Sequence, residues 1–104
     1  MFLCDVRAYK LLHLRKNGTL GPLFINRRQI ISLHQWLKAE DHPTRGYAHR
    51  PGWHVTLKPY APHLSTVGRA WAMVNVRGTR TLLRPLSQGG KWLLADEMMV
   101  LKLL

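Results

Sequence analysis

One stretch of alternating apolar residues, residues 68–77, constrains the fold of this chain more than any other part of its sequence. Successive side chains of a β-strand point to opposite faces, so an apolar residue at nearly every position makes both faces apolar. Such a strand is expected in the centre of a β-sheet rather than at its edge. The alternation consists of Ala70, Ala72, Val74 and Val76 against Trp71, Met73 and Asn75.

Turn signals divide the rest of the chain into further strands. A strand is predicted over residues 6–15, and Asn17-Gly18 then gives the strongest short signal for a hairpin, because both residues tolerate a positive φ. The return arm is predicted over residues 19–25. Pro22 makes that arm an edge strand, or delays its entry into the sheet, because proline cannot donate to a ladder. Later strands are predicted over residues 53–58, 91–94 and 98–104, the last two being separate or one strand broken at Asp96-Glu97.

One segment has the pattern of a helix. Ser32-Leu33-His34-Gln35 matches a capping box, in which a hydroxyl and a side-chain amide satisfy the first free backbone amides of a helix. Leu33, Trp36 and Leu37 then share one face, and Pro43 ends the helix. Residues 41–52 and 78–90 are predicted to be loops rich in basic residues. The predicted fold class is therefore α+β, a small and mostly antiparallel β-sheet with one short helix and long basic loops, in a single domain over residues 1–104.

The charge balance restricts the partners of such a domain. The chain contains sixteen Lys and Arg residues and five Asp and Glu residues, which gives a formal net charge of +11 and a pI near 11.0. A field of this sign attracts polyanions, with nucleic acid first and acidic proteins, nucleotides or an anionic membrane surface after it. The alternatives are that the charge maintains solubility or meets an acidic neighbour in a larger assembly.

Cysteine usage and hydropathy indicate the compartment. Cys4 is the single cysteine, so an internal disulfide is impossible and a reducing cytoplasm is expected. Charged residues interrupt the N-terminal region before a signal-peptide core could form. The apolar runs are far shorter than the ~20 residues that span a bilayer, so no transmembrane segment is expected.

The segment Arg50-Pro51-Gly52-Trp53-His54 is the first candidate site. It combines a guanidinium, a turn, an aromatic ring and an imidazole at the junction of a loop and a strand. His54 could act as a general base, orient a ligand or contact a phosphate, and a purely structural role for the segment is the competing interpretation. The two faces of the following strand are expected to carry Trp53, Val55 and Leu57 toward a core and His54, Thr56 and Lys58 toward a ligand.

Basic and aromatic residues in the turns and loops predict a surface for nucleic acid, either single-stranded or RNA. No helix-turn-helix, zinc-finger or complete RNA-recognition signature is present in the sequence. The spacing of His42, His49, His54 and His63 does not match metal ligands, so no metal is expected. The residues expected to bind nucleic acid or another anion are Arg27, Arg28, Arg45, Tyr47, Arg50, Lys58, Arg80, Arg84 and Lys91.

Several segments resemble a group of short proteins from bacteriophages and mobile elements, and Arg50-Pro-Gly-Trp-His54 is the most recognisable of them. The similarity covers most of the chain and implies a phage or prophage protein that acts in the cytoplasm of an infected bacterium. The other segments are Asn17-Gly-Thr-Leu-Gly-Pro-Leu-Phe-Ile-Asn26, Ala61-Pro-His-Leu-Ser65, Gly68-Arg-Ala-Trp71 and Ser87-Gln-Gly-Gly-Lys-Trp92.

A looser similarity concerns phage-encoded ADP-ribosyltransferase-like domains. Gly52-Trp53-His54-Val55-Thr56, the turn that follows it and the strand Arg69-Ala-Trp-Ala-Met-Val-Asn-Val76 resemble their order of histidine-containing strand, connector and long strand. This resemblance implies an NAD-dependent enzyme that modifies host components. In it His54 and Thr56 would form the strand part of the site, with His54 on the NAD ribose, Tyr60 stacked on nicotinamide and Glu97 assisting transfer.

Three functions therefore stand side by side. The first is a small basic accessory protein that binds nucleic acid or another polyanion and needs no cofactor. The second is the ADP-ribosyltransferase-like enzyme, with NAD as its cofactor. The third is an inhibitor that docks on an acidic host protein. The sequence alone leaves the choice among them, and the oligomeric state, open.

Overall fold

A computed structural model describes residues 5–23, 28–39 and 52–104 of the chain. Within these residues a 3₁₀ turn, Leu86–Gln88, joins the last two strands, and every pairing between the named strands is antiparallel. The strands are β1 (Val6–Leu14), β2 (Leu20–Gly21), β3 (Trp36–Lys38), β4 (Trp53–Thr56), β5 (Arg69–Leu83) and β6 (Lys91–Leu103).

Four of these strands close into a small barrel. β1 pairs with β5, β5 with β6, and β6 with β4, while β4 returns to β1 at the pair Thr56 and Tyr9. β2 extends the sheet beside the end of β1, and β3 lies beside β6. The barrel encloses the core, whose fully buried members include Ala8, Leu12, Val55, Ala72, Val74, Val76, Met98 and Val100.

The predicted α+β class is wrong, because the segment expected to form its helix belongs to the sheet. Leu33 bridges Val100, and β3 pairs with β6. His34 has a φ of 60°, a left-handed conformation that an α-helix does not continue through, and its N–H donates to the Val100 carbonyl at 2.8 Å. Pairing with a distant strand thus overrides a capping pattern that depends on neighbouring residues only.

The predicted first strand and hairpin are confirmed. β1 ends at Leu14, and the turn is closed by the Arg15 N–H bonded to the Thr19 carbonyl and the Gly18 N–H bonded to the Arg15 carbonyl, both at 2.9 Å. Gly18 has a φ of 86°, as this turn requires. In the return arm, β2 covers Leu20–Gly21 and ends directly before Pro22, which cannot donate to a ladder, and residues 24–25 of the predicted arm lie outside the described residues.

The β5–β6 hairpin is longer and more regular than predicted. Residues 78–83 belong to β5 rather than to a loop, and β6 runs through Asp96 and Glu97 without a break. Asp96 is exposed and Glu97 is half-buried, and each is paired across the hairpin, with Arg80 and Arg77 respectively, so both fit within a continuous strand. Gly78, with a φ of 68°, lets the strand continue beside the Asp96 carboxylate.

Among the described residues, no helix has the length and apolarity needed to cross a membrane.

Candidate functional site

The described part of the first candidate site begins at Gly52, immediately before β4. Gly52 has a φ of 129°, and a Cβ added there would lie 3.0 Å from Nη2 of Arg80 and 3.3 Å from the Ala95 carbonyl oxygen. A glycine is therefore needed for this close approach of the chain to β6. Arg50 and Pro51 lie outside the described residues.

β4 directs its side chains only partly as predicted. Trp53 and Val55 are buried in the core, and the Trp53 indole N–H donates to the Leu37 carbonyl at 3.0 Å. Leu57 was expected in the core but is 45% exposed, because β4 ends one residue before it. Thr56 was expected to face a ligand, yet it is only 4% exposed. Its hydroxyl bonds to the Lys58 carbonyl, so the prediction for Thr56 is wrong.

A buried ammonium group lies beside His54. Nζ of Lys10 donates to the His54 carbonyl at 2.8 Å and lies 5.8 Å from the centre of the Trp53 ring. Desolvation lowers the pKa of Lys10 from 10.5 to about 8. Sequence reasoning did not single out Lys10. The sequence could have predicted its burial, because Lys10 alternates with Ala8 and Leu12 and therefore lies on the same, core-facing side of β1.

The residues assigned to an enzyme site lie at different places along the sheet. His54 is opposite Leu94 on β6, and Glu97 lies three residues further along β6, about 10 Å away at the rise of a strand. Glu97 is bonded to Arg77 through both carboxylate oxygens at 3.2 Å. Tyr60 lies beyond the other end of β4. The ordering of the residues on β4 and β6 therefore places Tyr60 and Glu97 on opposite sides of His54.

A second cluster forms where residues 57–68, the β4–β5 connector, meet the turn between β5 and β6. Its centre is Trp92, which is 5% exposed and donates its indole N–H to the Gln88 carbonyl at 2.7 Å. The His63 ring meets the Trp92 ring edge-on, with 5.8 Å between the centroids. The Arg84 guanidinium lies 5.1 Å from the Trp92 centroid, and its Nε donates to Oε1 of Gln88 at 2.9 Å.

Tyr60 and Lys58 adjoin this cluster. The Tyr60 N–H donates to the Lys58 carbonyl at 2.7 Å, and the Tyr60 carbonyl oxygen lies 3.4 Å from the position of a Cβ at Gly89. The connector backbone is thus held against the turn, while the Tyr60 side chain remains 60% exposed. Lys58 is also exposed. We call the surface formed by Lys58, Tyr60, His63 and Arg84 the connector surface.

The electrostatics of the connector surface favour an anion. Desolvation lowers the pKa of His63, and the charge of Arg84 lowers it further. The two carboxylates of β6 form ion pairs elsewhere, Asp96 with Arg80 at 2.8 Å and Glu97 with Arg77. An anion at the connector surface would meet the positive charges of Lys58 and Arg84, together with the Tyr60 ring and the His63 imidazole.

The remaining predicted binding residues are dispersed. Arg28 is exposed in the segment before Ile31, beside β2, and Arg80 is bonded to Asp96. Lys91 directly precedes Trp92, so the alternation of the strand turns it to the opposite face, beside its register partner Leu83. Arg27, Arg45, Tyr47 and Arg50 lie outside the described residues. Of the predicted binding set, Lys58 and Arg84 therefore lie toward the same end of β6, because Thr56 and Leu82 are both register partners of Trp92, and Tyr60 adjoins Lys58 on the connector.

Three residues of the cluster were not predicted as binding residues: His63, Gln88 and Trp92. The sequence features that could have indicated this cluster are the prolines on either side of the connector turn and the Gly89-Gly90 turn before β6. In the described part of the chain, no three His, Cys, Asp or Glu side chains form a group that could hold a metal ion. Comparisons of the chain with protein-family models, curated proteins and solved structures find no match.

Proposed function

We propose that this protein binds single-stranded nucleic acid, with RNA as the first ligand to test, and that the connector surface is the binding site. The observation that carries the proposal is the exposed ring of Tyr60, whose backbone is bonded to Lys58 and lies against Gly89 of the β5–β6 turn, next to the cluster of Arg84 and Trp92. As a small basic protein of phage type, it would act in the bacterial cytoplasm without a cofactor.

The chemistry of the connector surface suits an unpaired base. An aromatic side chain stacks on the face of any base, and each such contact contributes roughly 1–3 kcal/mol. Because the Tyr60 backbone already bonds to Lys58 and packs on the turn, little further ordering of the connector is needed when a base stacks. Lys58 and Arg84 are placed to contact the neighbouring phosphates.

The net charge supplies a second, less local attraction. At +11 the chain attracts a polyanion from any direction, and each neutralised phosphate releases counterions. Affinity for a single strand is expected to fall as salt rises, with a logarithmic slope of about −0.7 for each phosphate contact. Salt dependence alone would not locate the site, so the experiment must compare substitutions.

Fluorescence anisotropy with a labelled oligouridine of about 15 nucleotides tests the proposal, at about 50 mM and about 200 mM NaCl. Tyr60→Leu removes the stacking ring and is expected to weaken binding by roughly 5- to 150-fold. Lys58→Gln is expected to weaken binding and to make the salt slope shallower by about 0.7. Lys102→Gln is the matched control, because it removes an exposed charge near the opposite end of β6.

Two results would contradict the proposal. If oligouridine does not bind at the lower salt concentration, the protein has another ligand, and an acidic protein is then the next partner to test. If Lys58→Gln and Lys102→Gln weaken binding equally and Tyr60→Leu has no effect, binding follows the net charge and the connector surface is not the site.

A further inference from the structure

Two basic side chains of the connector surface share one rigid support. His63 comes from the β4–β5 connector and Arg84 from the residue after β5, and both pack against the Trp92 ring. Trp92 is buried and bonded to the Gln88 carbonyl, and the side-chain oxygen of Gln88 accepts a hydrogen bond from Arg84. The hydrogen bond to Gln88 therefore orients the Arg84 guanidinium, and the contact of both groups with Trp92 places the exposed His63 imidazole near it.

This arrangement is unfavourable for a protonated imidazole. Desolvation lowers the pKa of His63 below its ordinary value of 6.5, and the nearby Arg84 charge lowers it further. Among the described residues, the charged groups on or beside the connector also include Lys58, Lys91 at the start of β6, and Arg69, which donates to the Ser65 carbonyl, and all three are cationic. Without an anion, His63 is neutral near pH 7.

A phosphate would reverse this preference. Its oxygens accept hydrogen bonds from a guanidinium and from an imidazolium, and such charge-assisted bonds are stronger than bonds between neutral groups. Its negative charge also opposes the effect of Arg84 on the imidazole. His63 lies three residues after Tyr60 on the same connector. We therefore expect the strand whose base stacks on Tyr60 to offer one of its backbone phosphates to His63.

We propose that His63 and Arg84 together bind one backbone phosphate of the nucleic acid, and that the imidazole takes up a proton from solvent when the phosphate binds. This inference rests on the proposed function and names the phosphodiester group that the connector surface recognises. Binding is then linked to pH, because the complex holds one more proton than the separate molecules over the range in which His63 titrates.

The affinity of oligouridine near pH 5.5 and near pH 7.5, at constant ionic strength, tests the linkage. Because one unit of pKa change corresponds to a tenfold change in affinity, the native protein is expected to bind roughly 3- to 10-fold more tightly at the lower pH. His63→Gln is expected to abolish most of this difference. His34→Asn serves as the control, since it removes a histidine bonded to Leu101 while retaining a residue that tolerates a positive φ.

NMR of the imidazole protons provides a second measurement that reports on His63 directly. The His63 resonance is assigned by its loss in His63→Gln, and its titration midpoint is expected to rise when oligouridine is added. Arg84→Lys retains the charge but removes the guanidinium that bonds to Gln88, and it is expected to reduce that rise.

The outcomes separate the two proposals. Binding of oligouridine with the same pH dependence in His63→Gln, or with an unchanged His63 midpoint, would overturn the phosphate site and leave the nucleic-acid proposal standing. Failure of oligouridine to bind would overturn the nucleic-acid proposal, and inorganic pyrophosphate would then test the site alone. A rise of the His63 midpoint with pyrophosphate supports the site, and an unchanged midpoint overturns it.

Discussion

Lys10 occupies an environment that opposes its charge. It lies on the core-facing side of β1, between the fully buried Ala8 and Leu12. The ammonium is retained there by one hydrogen bond, to the His54 carbonyl, and by its position 5.8 Å from the Trp53 ring. These contacts do not replace the lost water, and the pKa of Lys10 falls to about 8.

This lowered pKa predicts a dependence of stability on pH. Between pH 8 and pH 10.5 the unfolded chain keeps the Lys10 proton while the folded protein loses it, so the free energy of unfolding rises with pH. The rise is limited to about 3.5 kcal/mol, because the pKa differs by about 2.5 units between the two states and each unit corresponds to about 1.4 kcal/mol. Urea unfolding gives the free energy of unfolding at each pH in this range, for the native protein and for Lys10→Met. The contribution of Lys10 is the change with pH in the difference between these two free energies. A constant difference would mean that Lys10 remains well solvated.

At the scale of elements, β3, β5 and β6 are joined through one side chain. The Arg77 guanidinium lies 3.9 Å from the centre of the Trp36 ring on β3 and bonds to both carboxylate oxygens of Glu97 on β6. The sequence patterns assigned these residues separately, Trp36 to a helix and Glu97 to a turn or an active site. The contacts among Trp36, Arg77 and Glu97 depend on strand register, which cannot be read from neighbouring residues in the sequence.

Arg77→Met is therefore expected to lower the free energy of unfolding by roughly 1–2 kcal/mol, since it leaves the half-buried Glu97 without this partner and removes the stacking on Trp36. Arg80→Met is the matched control, because the Arg80–Asp96 pair is more exposed and is expected to cost less than about 1 kcal/mol. Denaturant unfolding of both variants gives the comparison. Equal losses would show that the contact with Trp36 adds nothing to the ion pair.

At the scale of the whole molecule, the exposed cations of the described residues occur on several elements rather than on one. Asp96 and Glu97 are already paired with arginines of the same hairpin, and they neutralise little of the remaining surface. The connector surface is distinguished by its aromatic rings more than by a local excess of charge. Exposed cations of the described residues occur on β1 and the turn after it, before Ile31, on β3, on the connector, on β5 and at both ends of β6, at Arg7, Lys16, Arg28, Lys38, Lys58, Arg80, Lys91 and Lys102.

This distribution predicts two opposite effects of salt. In the protein alone, raising NaCl from about 50 mM to about 200 mM is expected to raise the melting temperature, because it screens the mutual repulsion of the surface cations. With oligouridine present at about 100 times its Kd, binding adds about 2.7 kcal/mol, and added salt is expected to diminish that stabilisation. Thermal melts with and without oligouridine measure both effects. A lower melting temperature of the protein alone at higher salt would contradict the first.

Local patterns in the chain are sufficient to predict the main strands, the hairpin at Asn17-Gly18 and the burial of Trp53 and Val55, because alternation and turn chemistry act between neighbouring residues. The positive field likewise follows from composition. The tertiary structure alone decides that the segment through His34 pairs as sheet and that Thr56 is buried. It alone brings together residues far apart in the chain, because strand register and barrel closure bury and align side chains that local patterns treat separately: Lys10 with Trp53, Arg77 with Trp36, and His63 and Arg84 with Trp92.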